Sequence, residues 1–516
     1  MRSGLKKINI TKSSIEDTLL IGLLLFAPLA LASVHTWAYC TIAIVSLTIF
    51  NLHFLNNIDD LKKTFRIPIS IGLVVFLVIN LLYLIPLPAV LIKFFSHAAY
   101  SLKEEYMLSP VPWQTLSIYS RATIGYIIKL VSYMMIFFVI VSKITQSKIE
   151  HQTSDIEDRT SKIEHRAKHY ANKVSANFLL LGALTSILTI LFHSISDFNL
   201  HIPANALYFT VILSLGTGLS LENRESNIEH QTSSSINYHF VSRLVNAIII
   251  IGFSIAVFGI IQKLSWNGKI YWLIKKDGGN FGPYINSDHY AGFMGMCTCL
   301  AVAYFMGSMR YSSFFYIKNM KEKILWFSSP EANKILIYLF LSIVMTTALF
   351  LTASRGGILS FAASILVFFF SCIIITKRGR RNRLFFSVFL VILLICTMII
   401  WVGPESTIER FNKLNKIIRF CIKEKAILCE LRPYMWTDTV DLIKDFPIFG
   451  TGLGAFSYIF PKYRTFPGHY GFLRYAHSDY LQFVSGMGII GLVFIIGFFV
   501  WYFRRFRDCL RRLRQF

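Results

Sequence analysis

Apolar runs of roughly 18 to 24 residues recur along this chain, each long enough to cross a hydrocarbon core. That repetition constrains the fold more than any other feature. Of the 516 residues 54% are hydrophobic and 16% charged, with a mean hydropathy of +0.54, whereas a soluble domain is nearer one quarter charged. The expected fold is therefore all-α: a polytopic membrane protein with about twelve transmembrane helices. The spans are expected near 18–34, 37–55, 67–88, 123–142, 176–196, 204–221, 241–262, 288–309, 335–352, 358–376, 384–402 and 484–503. Arg2, Lys6, Lys7 and Lys12 precede the first run, and Ala30-Leu31-Ala32 looks like a cleavage site; with eleven spans behind it, an uncleaved first helix is expected.

Lys plus Arg total 52 against 28 Asp plus Glu, a net charge of +24. In a soluble chain this excess would suggest nucleic acid, but here the basic residues sit in short clusters between apolar runs and read as positive-inside topology. Lys377-Arg378-Gly379-Arg380-Arg381 and Arg504-Arg505-Phe506-Arg507 are the clearest inner signals and put both termini in the cytoplasm. Eight cysteines without a CxxC pair give no support to a zinc or redox motif.

Three regions follow. Residues 1–142 hold the N-terminal spans and an outer loop at 89–122. Residues 143–240 are polar linkers around an apolar hairpin, 176–221. The linkers share Ile149-Glu150-His151-Gln152-Thr153-Ser154 and Ile228-Glu229-His230-Gln231-Thr232-Ser233, which read as a duplicated spacer rather than as metal ligands. Residues 241–516 form a core with an outer segment, 403–483, too long for a passive connection.

That outer segment holds most of the chemistry-bearing residues. Residues 404–430 place Ile408, Phe411, Leu414, Ile418 and Cys421 at helical spacing opposite a basic face, as expected of a helix on the membrane surface or of a lid on the bundle. Cys421 and Cys429 are too far apart along one continuous helix to pair. Arg432 precedes Pro433 at a helix start, where it is either a ligand for phosphate or carboxylate or an ordinary surface arginine. Gly450-Thr451-Gly452-Leu453-Gly454 lacks the spacing and the preceding strand of a dinucleotide loop; it suggests tight turns with backbone N–H groups open to an anion. Arg355, in Ser354-Arg355-Gly356-Gly357, either snorkels to head groups or clamps a diphosphate. His477, at the outer mouth of the last span, is a candidate proton acceptor or a structural histidine. Asp438 and Asp441 share a helical face but have no further ligands nearby in sequence, so no metal is expected.

Taken in order, Phe281-Gly282-Pro283-Tyr284-Ile285-Asn286, Asp288-His289-Tyr290-Ala291-Gly292, Ser354-Arg355-Gly356-Gly357, Arg432 to Trp436, Asp445 to Gly454 and Ala476-His477-Ser478-Asp479-Tyr480 resemble the O-antigen ligase and O-antigen polymerase superfamily of bacterial envelope glycosyltransferases. The resemblance covers about 263 to 490. It implies a multi-pass enzyme of the bacterial inner membrane, active on the periplasmic face, that transfers a glycan from undecaprenyl diphosphate to an acceptor hydroxyl with inversion and without metal or cofactor. The acceptor is lipid A-core or a growing glycan. Arg355 and Arg432 would hold the diphosphate and His477 would be the general base. Lys444, Arg464 and Arg474, with Asn286, His289, Gly452 and Tyr480, would contact substrate. Partners are inner-membrane lipids and no nucleic acid. A transporter or flippase of a lipid-linked or anionic solute, or an inactive assembly scaffold, are the alternatives; a transporter needs mid-span charges, and Lys129 stands nearly alone.

One departure stands out. His193-Ser194-Ile195-Ser196-Asp197-Phe198-Asn199-Leu200-His201-Ile202-Pro203-Ala204-Asn205-Ala206 looks like a hairpin that such proteins carry after the final histidine motif, yet here it precedes the core. If it has been relocated, residues 176–221 should lie beside the last helix.

Overall fold

The computed structural model describes residues 12–106, 112–145, 159–221, 236–275, 281–310, 312–315, 317, 319–375, 431–466 and 473–515, with side chains of the first long linker described only from 176 onward. The expected span at 384–402, the stretch 404–430 with Cys421 and Cys429, and most of both linkers lie outside the described residues.

The chain forms helices α1 (Lys12–Leu29), α2 (Thr36–Asn56), α3 (Ile58–Phe65), α4 (Pro68–Leu82), α5 (Ala89–Phe95), α6 (His97–Tyr106), α7 (Ser120–Thr145), α8 (Arg159–His193), α9 (Pro203–Leu221), α10 (Tyr238–Leu264), α11 (Ser287–Arg310), α12 (Met320–Trp326), α13 (Pro330–Leu351) and α14 (Arg355–Ile375). A helix at Arg432–Asp445 and a final helix at Asp479–Gln515 follow. Among the described residues nine helices are long and apolar enough to cross a membrane, or ten if α3 and α4, bent by 82°, make one broken span. Pro68 explains that break, since it has no N–H to continue α3 and is suited to start α4.

Several boundaries differ from expectation. The span expected at 67–88 ends at Leu82, because Leu87–Pro88 pairs as β1 with β2 (Trp113–Gln114). A second ribbon joins β3 (Lys269–Ile270) to β4 (Ile274–Lys275), so the chain is nearly but not wholly α. α1 starts earlier and stops sooner than 18–34: Leu31, Ala32 and Ser33 turn left-handed, and the helix takes in Glu16 and Asp17.

Those two carboxylates are buried near a helix end, away from the half-buried, mid-span Lys129. Glu16 lies 3.0 Å from His53 Nδ1 and 3.0 Å from Lys143 Nζ; Asp17 pairs with Lys143 at 2.6 Å and with Arg243 at 2.8 Å. The cluster ties α1, α2, α7 and α10 together near their ends remote from the 193–202 turn. Because each charge has a partner, removing one would strand the others in a low-dielectric setting.

The hairpin α8–α9 is central, not peripheral. The Ala176–His193 part of α8 is almost wholly buried, and packs on α11, α14 and the final helix. Tyr502 Oη donates to the Leu184 carbonyl (2.9 Å), Tyr480 Oη to Leu191 (2.9 Å), and Arg512 to the Leu219 and Ser220 carbonyls. Residues 176–221 thus sit beside the final helix.

The final helix is interrupted at Gly488 (φ 58°, ψ −144°), a conformation open only to glycine. There the 446–454 segment docks backbone to backbone. Ile489 N–H donates to Pro447 O (2.8 Å), and a Cβ on Gly488 would lie 2.5 Å from the Ile448 main chain. Gly488→Ala is expected to lower stability by about 2 kcal/mol or more, from strain and clash together. Gly497→Ala, with nothing within 4 Å, should be near neutral; thermal unfolding of both variants in detergent checks this.

Candidate active site

The site assembles around the 193–202 turn that joins α8 to α9. Asp479, first residue of the final helix, holds this turn from two sides. Its N–H donates to the Ser194 (2.9 Å) and Asp197 (3.1 Å) carbonyls. Its carboxylate, 5% exposed, accepts from Ser194 Oγ (2.6 Å), Leu200 N–H (3.0 Å) and His201 Nδ1 (2.6 Å). The carboxylate also lies in the first turn of its helix, where negative charge is favoured.

His477 precedes this anchor in a left-handed backbone conformation (φ 51°), which costs a non-glycine residue about 1 kcal/mol and needs support. The support comes from both sides. Trp436 Nε1 donates to the His477 carbonyl (3.3 Å), and Ala476 N–H donates to Gln482 Oε1 (2.7 Å). The turn aims the imidazole at the hairpin: Nδ1 is 3.6 Å from Asp197 Oδ1, and the ring stands edge-on to Phe198 at 4.8 Å. His289, on the first turn of α11, approaches the other carboxylate oxygen of Asp197, also at 3.6 Å, and packs edge-on to the same phenyl ring at 4.6 Å. Tyr475 stacks on the Phe198 ring at 4.2 Å. Burial alone would raise the Asp197 pKa, but the imidazoles of His289, His477 and His193 hold it well below the usual carboxylate range. It is a buried anion.

Arg432 opens the Arg432–Asp445 helix with Pro433 in its first turn, as its spacing suggested. Its guanidinium, 31% exposed, reaches Asp288 at 3.4 Å, next to His289. Arg355 opens α14 and is exposed; Ser354 caps that helix through Gly357 N–H (3.2 Å). The two glycines after Arg355 let α14 start against the hairpin. A Cβ at Gly356 would come within 2.9 Å of Ser196 Oγ and 3.1 Å of the His193 ring; one at Gly357 would come within 2.4 Å of Ala291 Cβ. Arg355, Arg432, His289 and His477 thus come from four separate elements that all abut one turn and the helices beside it.

Other expected site residues are engaged elsewhere. Asn286 caps α11, accepting from Asp288 N–H (2.9 Å). Gly452, in left-handed conformation (φ 90°), packs on Ser117. The N–H groups of Gly450, Thr451 and Gly452 donate to the Phe446, Ser485 and Gly486 carbonyls, so these three are not open to an anion; close backbone packing is what the glycines allow. Tyr480 Oη is committed to Leu191. Lys444 pairs with Asp441 (2.8 Å) on an exposed face, and Arg464 folds over the Phe466 ring at 4.8 Å. Arg474 is exposed beside Tyr475. Asp438, no metal ligand, accepts from Thr465 N–H (3.1 Å) and Oγ1 (2.8 Å). Asp288, Asp197 and Asp479 are the polar residues that motif reading passed over as site members; the first signal for Asp197 was its place in the hairpin motif.

An apolar groove of about 860 Å³ begins behind this site, at Ser194, His201 and Asp479. Leu191, Phe209, Phe483 and Phe498 line it, α4 closes one side, and it ends near Arg504 and Arg507.

Residues 340–496 match the family model described as O-antigen ligase. The match includes Arg355, Arg432 and His477 but not the hairpin or α11. No curated protein and no solved structure matches the chain. Asp479→Ala, which strands Ser194 Oγ, Leu200 N–H and His201, is expected to cost about 3 kcal/mol. Asp479→Asn should recover part of this, as read by thermal unfolding of the two variants in detergent.

Proposed function

We propose that this chain, a multi-pass bacterial inner-membrane glycosyltransferase of the O-antigen ligase and polymerase superfamily by its segment 340–496, transfers a glycan from undecaprenyl diphosphate to a sugar hydroxyl on the periplasmic face. What supports this reading is that His477 and His289 face Asp197 in the hairpin turn, that Arg432 pairs with Asp288 next to His289, that Gly356 beside Arg355 abuts the same turn, and that an apolar groove starts at Ser194, His201 and Asp479.

The chemistry follows from the charges. The leaving group is a diphosphate, already anionic, so it needs neutralisation rather than a proton. Arg355 and Arg432 supply it from the first turns of two helices, whose own dipoles add positive potential. Asp288 holds the Arg432 side chain near the site without saturating a five-donor guanidinium. His477 accepts the proton of the attacking hydroxyl as that oxygen bonds to the anomeric carbon from the face opposite the diphosphate. The anomeric C–O bond breaks, its electron pair leaves with the diphosphate, the configuration inverts, and the imidazolium releases its proton to water. The groove behind Asp479 gives a polyprenyl chain an apolar path beside the reacting end.

Arg355→Ala, Arg432→Ala and His477→Ala are each expected to reduce transfer by roughly 100-fold or more while the proteins remain inserted and folded. The measurement is release of undecaprenyl diphosphate from lipid-linked glycan extracted from a deletion strain. Full activity in folded His477→Ala would remove the base from the scheme. The polysaccharide profile of the deletion strain separates the acceptors: loss of all attached polymer marks a ligase, and retention of a single repeat unit marks a polymerase.

A further inference from the structure

We propose that Arg504 and Arg507 of the final helix hold the phosphate of an anionic glycerophospholipid, with one acyl chain in each of two apolar grooves that meet at these side chains. The proposal is independent of the transfer reaction above.

The first groove is the one of about 860 Å³ that starts at Ser194, His201 and Asp479, and Arg504 and Arg507 form its far end. A second, of about 470 Å³, is lined among the described residues by Ile496, Phe499, Val500 and Phe503 and ends at the same two arginines. Both volumes lie in the range of ligand sites, roughly 300 to 1,000 Å³. Phe499 and Val500 belong to both walls, so the grooves run side by side to one place. The opposite wall of the first is α4, which runs antiparallel to the final helix. Asn80 approaches Met487 Sδ (3.9 Å) and Phe76 packs on Phe494 (5.0 Å between rings), which leaves the first turn of α4, Pro68 and Ile69, toward the Arg504 end. Its dipole adds positive potential there. Gly72 and Gly497, both in this wall, have nothing within 4 Å of where a Cβ would sit.

The charge at this end has no partner within the described protein. Arg504 and Arg507 are exposed, and neither guanidinium has an ion pair or a side-chain hydrogen bond among the described residues. Asp508, which also lines the first groove, pairs with neither. Arg512, by contrast, is committed to the Leu219 and Ser220 carbonyls, and Arg505 is 8% exposed. Residues three apart on a helix share a face, about 5–6 Å between Cβ atoms, so both guanidiniums can reach one phosphate. The depth is also that of a head group. Arg504 lies roughly 35 Å along the final helix from Asp479, just beyond a hydrocarbon core of about 30 Å. Exposed Val493, Ile496, Val500 and Phe503 lead straight to the arginines, so a chain below the phosphate meets apolar surface along its length. A zwitterionic lipid would bring its own ammonium against the guanidiniums, which is why the head group is anionic. The other end of the first groove, a membrane's thickness away, stays open to the donor's chain.

The test uses the full chain, delipidated in detergent and incubated with phosphatidylglycerol or with phosphatidylcholine of the same acyl chains. Native mass spectrometry counts the bound lipid, and thermal unfolding reads its effect. One phosphatidylglycerol is expected to bind roughly tenfold more tightly than phosphatidylcholine and to raise the unfolding temperature. The double variant Arg504→Gln, Arg507→Gln should lower that affinity by roughly tenfold or more. Gly497→Leu, which fills the first groove and leaves the charge, should lower it by about tenfold as well. Arg511→Gln with Arg514→Gln, exposed on the same helix but outside both grooves, should change it by less than about threefold. Equal binding of the two lipids, equal losses from the two arginine pairs, or inorganic phosphate stabilising as much as lipid would overturn the proposal. So would undiminished binding in the folded Arg504→Gln, Arg507→Gln variant or in folded Gly497→Leu, or a lipid-free dimer, which would assign the grooves to a second copy. Activity or inactivity of His477→Ala moves none of these readouts.

Discussion

A single buried carboxylate, Asp479, joins two parts of the chain that lie almost three hundred residues apart in sequence, with Ser194 and Leu200 as its distant partners. It accepts three hydrogen bonds from the hairpin turn while its own N–H is shared between the Ser194 and Asp197 carbonyls of the hairpin backbone. In an apolar surrounding each of those groups would be expensive to leave unpaired, so the turn and the head of the final helix are set relative to each other within narrow limits. The placement of His477, two residues earlier, and of Asp197, three residues after Ser194, follows from that anchor. The left-handed backbone at His477 is tolerable because Trp436 and Gln482 hold the flanking main chain.

Close backbone approach builds the rest of the site's frame. Where the final helix breaks at Gly488, the 446–454 segment lies against it with no side chain between, and Thr451 and Gly452 bond to the Ser485 and Gly486 carbonyls. Thr123 Oγ1 then bonds to the Leu453 carbonyl, which brings α7 into the same seam. Gly356 and Gly357 do likewise for α14 against the hairpin. The glycines here act through contact: they let helices and turns meet closely enough for Arg355 and Arg432 to reach the surroundings of one turn. At the opposite ends of the bundle, the Glu16–Lys143–Asp17 cluster performs a comparable duty with charge.

The same geometry places the early hairpin next to the final helix. A hairpin that precedes the core in the chain fills the place beside the last helix, because membrane packing depends on matching surfaces and polar partners, not on order along the chain.

Sequence alone determined what short-range physics controls. Run length and apolarity marked most of the apolar helices to within a few residues, Pro433 marked a helix start, and the order of motifs pointed to the family later matched over 340–496. Charge near span ends is harder to read: Glu16 and Asp17 lie just before the expected first span, and only the packing of α1, α2, α7 and α10 shows that these helices share them. Only the tertiary structure decided which polar residues meet. Asp197, Asp288 and Asp479 carry no local signal of partnership, and the glycine-rich 450–454 segment suggests an anion loop although the N–H groups of Gly450, Thr451 and Gly452 are bonded to main-chain carbonyls. The physical reason is that helix formation is governed by neighbours within a turn or two, whereas pairing of a buried carboxylate depends on where distant helices pack.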